Sequence, residues 1–194
     1  MKIGILSLQG GFAEHISLLS QLGQDVSSVR CADDLCGLDG LVIPGGESTT
    51  IVNLINSYGL LKPLRDMARA GLPIMGTCAG LIVLGRDGSD RPLETLEVMD
   101  VTVLRNAFGR QVDSFEVDLK IAVLGRIPFR CIFIRAPIIQ EVGHRVEVLA
   151  HLSDGTPVAV LDGNLLGVSF HPELTSDMRF HEYFLTIVDR KKRM

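Results

Sequence analysis

One stretch constrains the fold more than any other: Leu72-Pro73-Ile74-Met75-Gly76-Thr77-Cys78-Ala79-Gly80-Leu81-Ile82-Val83-Leu84. Pro73 to Met75 is a short apolar run that reads as a buried strand. It stops at Gly76, and after Gly80 the apolar character resumes in a form that suits a packed helix. Cys78 is thereby placed in a tight strand-to-helix turn between two glycines. Small residues there are expected to close the turn without backbone strain and to let a substrate approach the main chain. The turn resembles the nucleophile elbow G-x-S-x-G with sulfur in place of oxygen. The start of a helix, with its unpaired N–H groups and dipole, favours a thiolate. The competing reading is a small buried cysteine with no chemistry. A five-residue G-x-C-x-G pattern does not by itself separate the two.

The same strand–turn–helix grammar recurs on the N-terminal side. Lys2 to Leu8 reads as a strand turning at Gln9-Gly10-Gly11. Phe12 to Leu22 has helical spacing (Phe12, Ile16, Leu19, Leu22) and ends at Gly23, a natural C-cap. Val26 to Val29 and Gly40 to Ile43 are further strands. The second is followed by Pro44-Gly45-Gly46-Glu47-Ser48-Thr49-Thr50, a turn and helix start, and by a helix carrying Ile51, Leu54 and Ile55. Leu60 to Ala70 is another helix. Strands alternating with helices through short glycine-containing loops predict an α/β fold with a mainly parallel sheet flanked by helices. In such sheets the working loops follow the carboxyl ends of the strands. Gln9-Gly10, the Pro44 to Ser48 loop and Cys78 should therefore meet.

Beyond Gly85 the pattern changes. Gly85 to Arg91 is polar, Val98 to Leu104 is β-like, and Arg105 to Gln111 is irregular. Phe115 to Leu119, Arg130 to Ile134, Val146 to Leu149, Pro157 to Leu161 and Leu165 to Phe170 read as strands. They suggest an antiparallel β addition folded onto the parallel core, and with no linker-like stretch the 194 residues are expected to form a single domain. A final helix is expected from about Ser176 to Asp189, its basic tail Arg190-Lys191-Lys192-Arg193 complementing the helix C-terminus and staying solvated.

Composition excludes several functions. Hydrophobic residues make up 46% of the chain, which suits a sheet buried on both faces. No apolar run approaches the roughly 20 residues that cross a bilayer, and Met1 to Leu6 reads as a strand, not a signal peptide. A net charge of −4 gives no electrostatic footprint for nucleic acid. The four cysteines lack disulfide or zinc spacing, so a reduced, cytoplasmic protein without a metal is expected. Cys31, Cys36 and Cys131 read as structural filler. Among the histidines, His15, His144, His151 and His181 read as core residues satisfied by backbone, since no pair has a metal-ligand spacing.

His171 differs because it lies in Val168-Ser169-Phe170-His171-Pro172-Glu173, at the end of the last strand. In an extended segment alternate residues face the same way, so Glu173 could orient one imidazole nitrogen of His171 while the other faces a nucleophile. A cysteine–histidine–carboxylate set requires that arrangement.

Gly-Thr-Cys-Ala-Gly, His-Pro-Glu after a late strand and Pro-Gly-Gly-Glu-Ser after an early one together resemble the class I (triad) glutamine amidotransferases. Leu8-Gln9-Gly10, Pro44 to Thr50, Arg105 to Phe115 and Phe133-Ile134-Arg135-Ala136-Pro137 extend the resemblance to the glutaminase subunits of pyridoxal 5'-phosphate synthases. Departures from that pattern, such as Ala107 and Gly11, do not touch the triad. The resemblance implies a flavodoxin-like three-layer fold and hydrolysis of L-glutamine to L-glutamate and ammonia. Cys78 would be the nucleophile, with His171 the proton carrier held by Glu173. Oxyanion donors would be the Ala79 N–H and one from the Gly45–Glu47 turn, Gly46 foremost. Gly46, Glu47, Ser48, Arg105, Ile134 and Arg135 would line the glutamine site. No cofactor of the subunit's own is implied. The partner would be a (βα)8-barrel synthase subunit that receives the ammonia in a hetero-oligomer, and docking would order the Gly45-Gly46 turn. Two alternatives remain at this point: an amidotransferase subunit feeding another acceptor, and a non-catalytic binding or redox member of the fold. A peptidase acting on γ-glutamyl bonds is a third.

Overall fold

The computed structural model describes residues 1–105 and 114–193. In chain order the elements are β1 (Lys2–Leu6), α1 (Phe12–Gln21), β2 (Asp25–Val29), β3 (Gly40–Ile43), α2 (Ser48–Ser57), α3 (Leu61–Arg69), β4 (Ile74–Thr77) and α4 (Ala79–Leu84). Then follow β5 (Arg86–Asp87), β6 (Val101–Leu104), β7 (Ser114–Leu119), β8 (Phe129–Ile134), β9 (Ile138–Val142), β10 (Glu147–His151), β11 (Pro157–Asp162), β12 (Leu165–Val168) and α5 (Arg179–Lys192).

The main sheet has seven strands in the order β10-β11-β12-β4-β3-β1-β2. β2, β1, β3, β4 and β12 are mutually parallel, whereas β11 and β10 continue the sheet antiparallel. The parallel part has the order typical of flavodoxin-like doubly wound sheets. Strand periodicity divides its side chains between two cores. Leu41 and Ile43 of β3 join the core beneath α2, α3 and α4, while Val42 between them joins the core beneath α1 and α5. Both faces are thus buried, which accounts for the near-continuous apolar character of these strands.

The antiparallel addition is not one sheet. β10 and β11 extend the main sheet, β5-β6-β9 form a small second sheet, and β7-β8 form a hairpin. β9 was not legible as a strand in the sequence; it pairs with β6 through an irregular register. The last parallel strand also ends at Val168, not at Phe170: Ser169 still bonds to the neighbouring β11, but by His171 the backbone has left the sheet for β8. Ser169 N–H donates to Val158 O (2.9 Å) and His171 N–H to Ile132 O (2.8 Å).

The final helix starts and stops later than expected. Thr175 and Asp177 hold a turn ahead of it: Asp177 N–H donates to Thr175 Oγ1 (3.2 Å) and Arg179 N–H to Asp177 Oδ1 (3.1 Å). Its basic end is partly used, since Lys192 Nζ lies 3.0 Å from Asp39 Oδ1 and so ties α5 to the loop before β3. The irregular stretch expected from Arg105 to Gln111 lies, from Asn106 on, outside the described residues.

α4 sits unusually close to the sheet. A methyl on Gly76 would lie 2.6 Å from the Gly80 carbonyl oxygen, and one on Gly80 would overlap the Ile43 carbonyl oxygen. Because those neighbours are backbone, Gly80→Ala should destabilise the protein by about 3 kcal/mol, the upper end for overpacking. A urea midpoint unchanged from wild type would contradict this.

Candidate active site

The carboxyl ends of β1, β3, β4 and β12 deliver four loops to one edge of the sheet, around a cavity of about 350 Å³. Gly46, Glu47, Ser48, Cys78, Ala79, Arg105, Ile134, Arg135 and His171 all line it. Gln9, Thr49 and Ile82 complete the wall. Ile82 was foreseeable as the helical neighbour one turn beyond Cys78. Glu173 does not face the cavity; its side chain is 1% exposed behind His171.

Cys78 has φ 49° and ψ −105°, so the turn is not free of strain. The strain falls on the cysteine itself, and such conformations cost about 1–3 kcal/mol, persisting only where the surroundings impose them. They do so here: Cys78 N–H donates to Val168 O (2.8 Å), and Gly76 and Gly80 let α4 close over β3. The sulfur points to the Ile134 carbonyl at 3.9 Å.

His171 and Glu173 do not share an extended segment. Pro172 to Leu174 is a single 3₁₀ turn with Pro172 at its start and His171 as its cap. The turn brings His171 Nδ1 to 2.6 Å from Glu173 Oε1. Burial opposes a charged imidazole, yet hydrogen bonds with Cys78 and Glu173 outweigh it and lift the His171 pKa to about 10. The same hydrogen bond holds Glu173 below the usual carboxylate range despite its burial. The Cys78 sulfur, the His171 imidazolium and the Glu173 carboxylate thus follow one another in that order, a set suited to nucleophilic transfer with a proton held ready for a leaving group.

The Gly45–Glu47 turn is pinned at several atoms. Gly45 N–H donates to Thr77 Oγ1 (3.0 Å), Gly45 O accepts from Gly11 N–H (3.0 Å), and Glu47 N–H donates to Gln9 Oε1 (2.8 Å). The Glu47 carboxylate caps α2, accepting from Thr49 N–H (3.0 Å) and Thr50 N–H (2.6 Å). Although burial pushes the other way, the Thr50 hydroxyl, which also donates to the carboxylate (2.7 Å), and these backbone bonds take its pKa down to about 2.

The two cavity arginines differ. Arg105 lies with Nε 2.9 Å from Asp87 Oδ2 and donates to Thr49 Oγ1, Ser89 Oγ and Arg91 O. Arg135, in a left-handed conformation (φ 44°), has no ion-pair partner among the described residues.

The remaining expectations fare unevenly. Cys131 is buried, but Cys31 and Cys36 are exposed and not filler. His144 and His151 are surface residues. His15 and His181 are fully buried, but side chains engage them, not backbone: His15 Nδ1 meets His181 Nε2 at 2.9 Å, and His181 Nδ1 has no hydrogen-bond partner among the described residues. Their spacing in sequence gives no hint of this contact. No helix among the described residues is long and apolar enough to cross a membrane.

The sequence pattern of the SNO glutamine amidotransferase family matches residues 5–190. The chain belongs to that family. Pyridoxal 5'-phosphate synthase subunit PdxT of Dehalococcoides mccartyi is 56% identical over 187 residues, covering 95% of this chain and 96% of the relative. PdxT of Moorella thermoacetica is 54% identical over 190 residues, covering 97% of this chain and all of the relative (100%). A crystal structure of a glutamine amidotransferase superposes with a TM-score of 0.91 at 46% identity, covering 96% of this chain and 98% of the other. The structure of PurLQS from Thermotoga maritima, at 16% identity and a TM-score of 0.72 over 95% of this chain and 97% of the other, shares the fold. The SNO family membership fits a cavity lined by a cysteine and a histidine at the carboxyl edge of a parallel sheet.

In this SNO family protein Glu173→Gln removes the charge that helps to hold the proton on His171. The His171 pKa should then fall, so that the imidazolium is lost at lower pH than in wild type. Titration of the His171 ring by NMR checks this, and an unchanged midpoint would refute the assigned cause.

Proposed function

We propose that this chain is the glutaminase subunit of a pyridoxal 5'-phosphate synthase, hydrolysing L-glutamine in the Cys78 cavity and passing ammonia to a partner synthase subunit. The observation that carries this reading is the pair Cys78 and His171 at the wall of a cavity, with Glu173 behind His171, in a chain so close to PdxT relatives. The Cys78 thiolate attacks the side-chain amide carbon of glutamine and forms a tetrahedral oxyanion. As that intermediate collapses, the C–N bond breaks and the His171 proton leaves with ammonia. Water, deprotonated by the now neutral His171, then hydrolyses the γ-glutamyl thioester and releases glutamate.

Ala79, the first residue of α4, has an N–H with no partner inside the helix, and we assign it and Gly46 N–H as the oxyanion donors. Loss of one such donor typically lowers the rate about 100- to 1000-fold. Flipping the Gly45–Gly46 peptide would have to break the bond from Gly11 N–H to Gly45 O, so any docking switch in this turn must act through the β1 loop. Gly46, Glu47, Ser48, Arg105, Ile134 and Arg135 surround the substrate. Since the Arg105 donors are engaged by neighbours, Arg135 is the better α-carboxylate ligand, and a planar bidentate pair suits it. The partner is a (βα)8 barrel in a hetero-oligomer, and a cytoplasmic location fits a thiol nucleophile among four free cysteines.

Glutamate release, measured with and without the barrel subunit, should rise on its addition and vanish in Cys78→Ala. Equal turnover with and without the partner would refute the coupling. Arg135→Ala should raise KM for glutamine roughly 10-fold or more, as loss of a charged hydrogen bond does, with a smaller change in kcat. An unchanged KM would point to Arg105, the other cavity arginine, as the α-carboxylate ligand.

A further inference from the structure

Behind the triad lies a buried polar cluster that glutamine hydrolysis as described does not use. His15 on α1, Thr77 at the end of β4 and His181 on α5 are each 0% exposed. His15 Nε2 stands 3.3 Å from Thr77 Oγ1 and 3.4 Å from Glu173 Oε2, and His15 Nδ1 stands 2.9 Å from His181 Nε2. Thr77 Oγ1 in turn accepts the Gly45 N–H of the oxyanion turn at 3.0 Å. Glu173 Oε2 has no hydrogen-bond partner among the described residues: His171 engages Oε1, and His15 Nε2 approaches Oε2 only to 3.4 Å. A carboxylate oxygen in the interior without a donor is costly, and the Nε2 of His15 is the one nitrogen placed to relieve it.

We propose that His15 is a positioning residue of the glutaminase, a neutral imidazole whose Nε2–H faces Glu173 and Thr77 together and so ties the triad carboxylate to the oxyanion turn. This rests on the glutaminase reading above. The tautomer follows from the neighbours. A carboxylate can only accept, so the proton of His15 sits on Nε2. Its Nδ1 then accepts, and His181 Nε2–H must donate to it. Burial keeps both rings neutral: it drives His181 down to about 3, with His15 adding to the effect, and lowers His15 although Glu173 pulls the other way. The charged or titratable groups that face His15 are Glu173, His171 and Glu14, with His181 across the α1–α5 contact. Of these, Glu173 is the anion in contact with the ring. His15 thus supports the negative charge that His171 needs, without carrying a charge itself.

The test uses three chains, wild type, His15→Leu and His15→Gln, each in complex with the barrel subunit. Leucine fills the space but offers no donor; the glutamine amide places an N–H near the Nε2 position. His15→Leu should lower kcat roughly 10- to 100-fold, the loss expected of a hydrogen bond to a charged group, with KM for glutamine nearly unchanged. The acid limb of kcat/KM should also move to higher pH, because Glu173 without its second donor takes up a proton more readily. His15→Gln should recover most of the rate and return the limb toward the wild-type position. Thermal melting of each variant separates loss of folded protein from loss of turnover. A His15→Leu enzyme that melts lower but keeps wild-type kcat and an unmoved acid limb per folded molecule would overturn the proposal. So would loss of rate in both variants alike with no movement of the limb. Absence of glutaminase activity in wild type would overturn the functional reading instead.

Discussion

Everything at the active edge depends on the close approach of α4 to β3 and β4. Because Gly76 and Gly80 carry no side chains, the helix begins directly on the sheet, and the residue that joins them must take a conformation few residues adopt. Cys78 is that residue. Its backbone is pinned by Val168 of the neighbouring strand, so the energy of the turn is drawn from the sheet's own hydrogen bonding. The strain has a geometric consequence: the thiol lines the cavity although the residue and the chain on either side of it are buried.

The parallel register then brings the other partners to the same place. β3 and β12 flank β4, so the glycine turn after one and the His171 turn after the other stand on opposite sides of the cysteine. Neither side is held by the sheet alone. The β7–β8 hairpin accepts the His171 amide at Ile132 O, and the loop after β1 clamps Gly45 and Glu47. Segments distant in sequence therefore each fix one functional group. Strands supply position, loops supply chemistry, and buried side chains between them set the charge state of His171.

Much of this was legible in the sequence because it follows from local rules. Apolar runs broken by glycines predicted the parallel strands, and G-T-C-A-G predicted a turn before a helix. The His171–Glu173 pairing was foreseen for the wrong reason, since Pro172 converts an extended segment into a 3₁₀ turn that still brings the two side chains together. The split of the antiparallel region into three sheets was not legible, because pairing partners there are set by long-range contacts and not by pattern. The burial of His15 and His181 was expected, but their contact with each other was hidden, because the two are far apart in sequence. Arg105 showed its motif but not Asp87, the buried carboxylate that engages it.

The central claim is that the strained turn makes Cys78 the covalent catalyst. Its most direct test is acid quenching of the complex during turnover of glutamine, followed by mass spectrometry of the digested chain. A γ-glutamyl adduct on the peptide carrying Cys78, and on none of those carrying Cys31, Cys36 or Cys131, is the predicted result. Turnover with an adduct on another cysteine would contradict it, as would turnover without any thioester at a quench time that captures intermediates in other thiol enzymes.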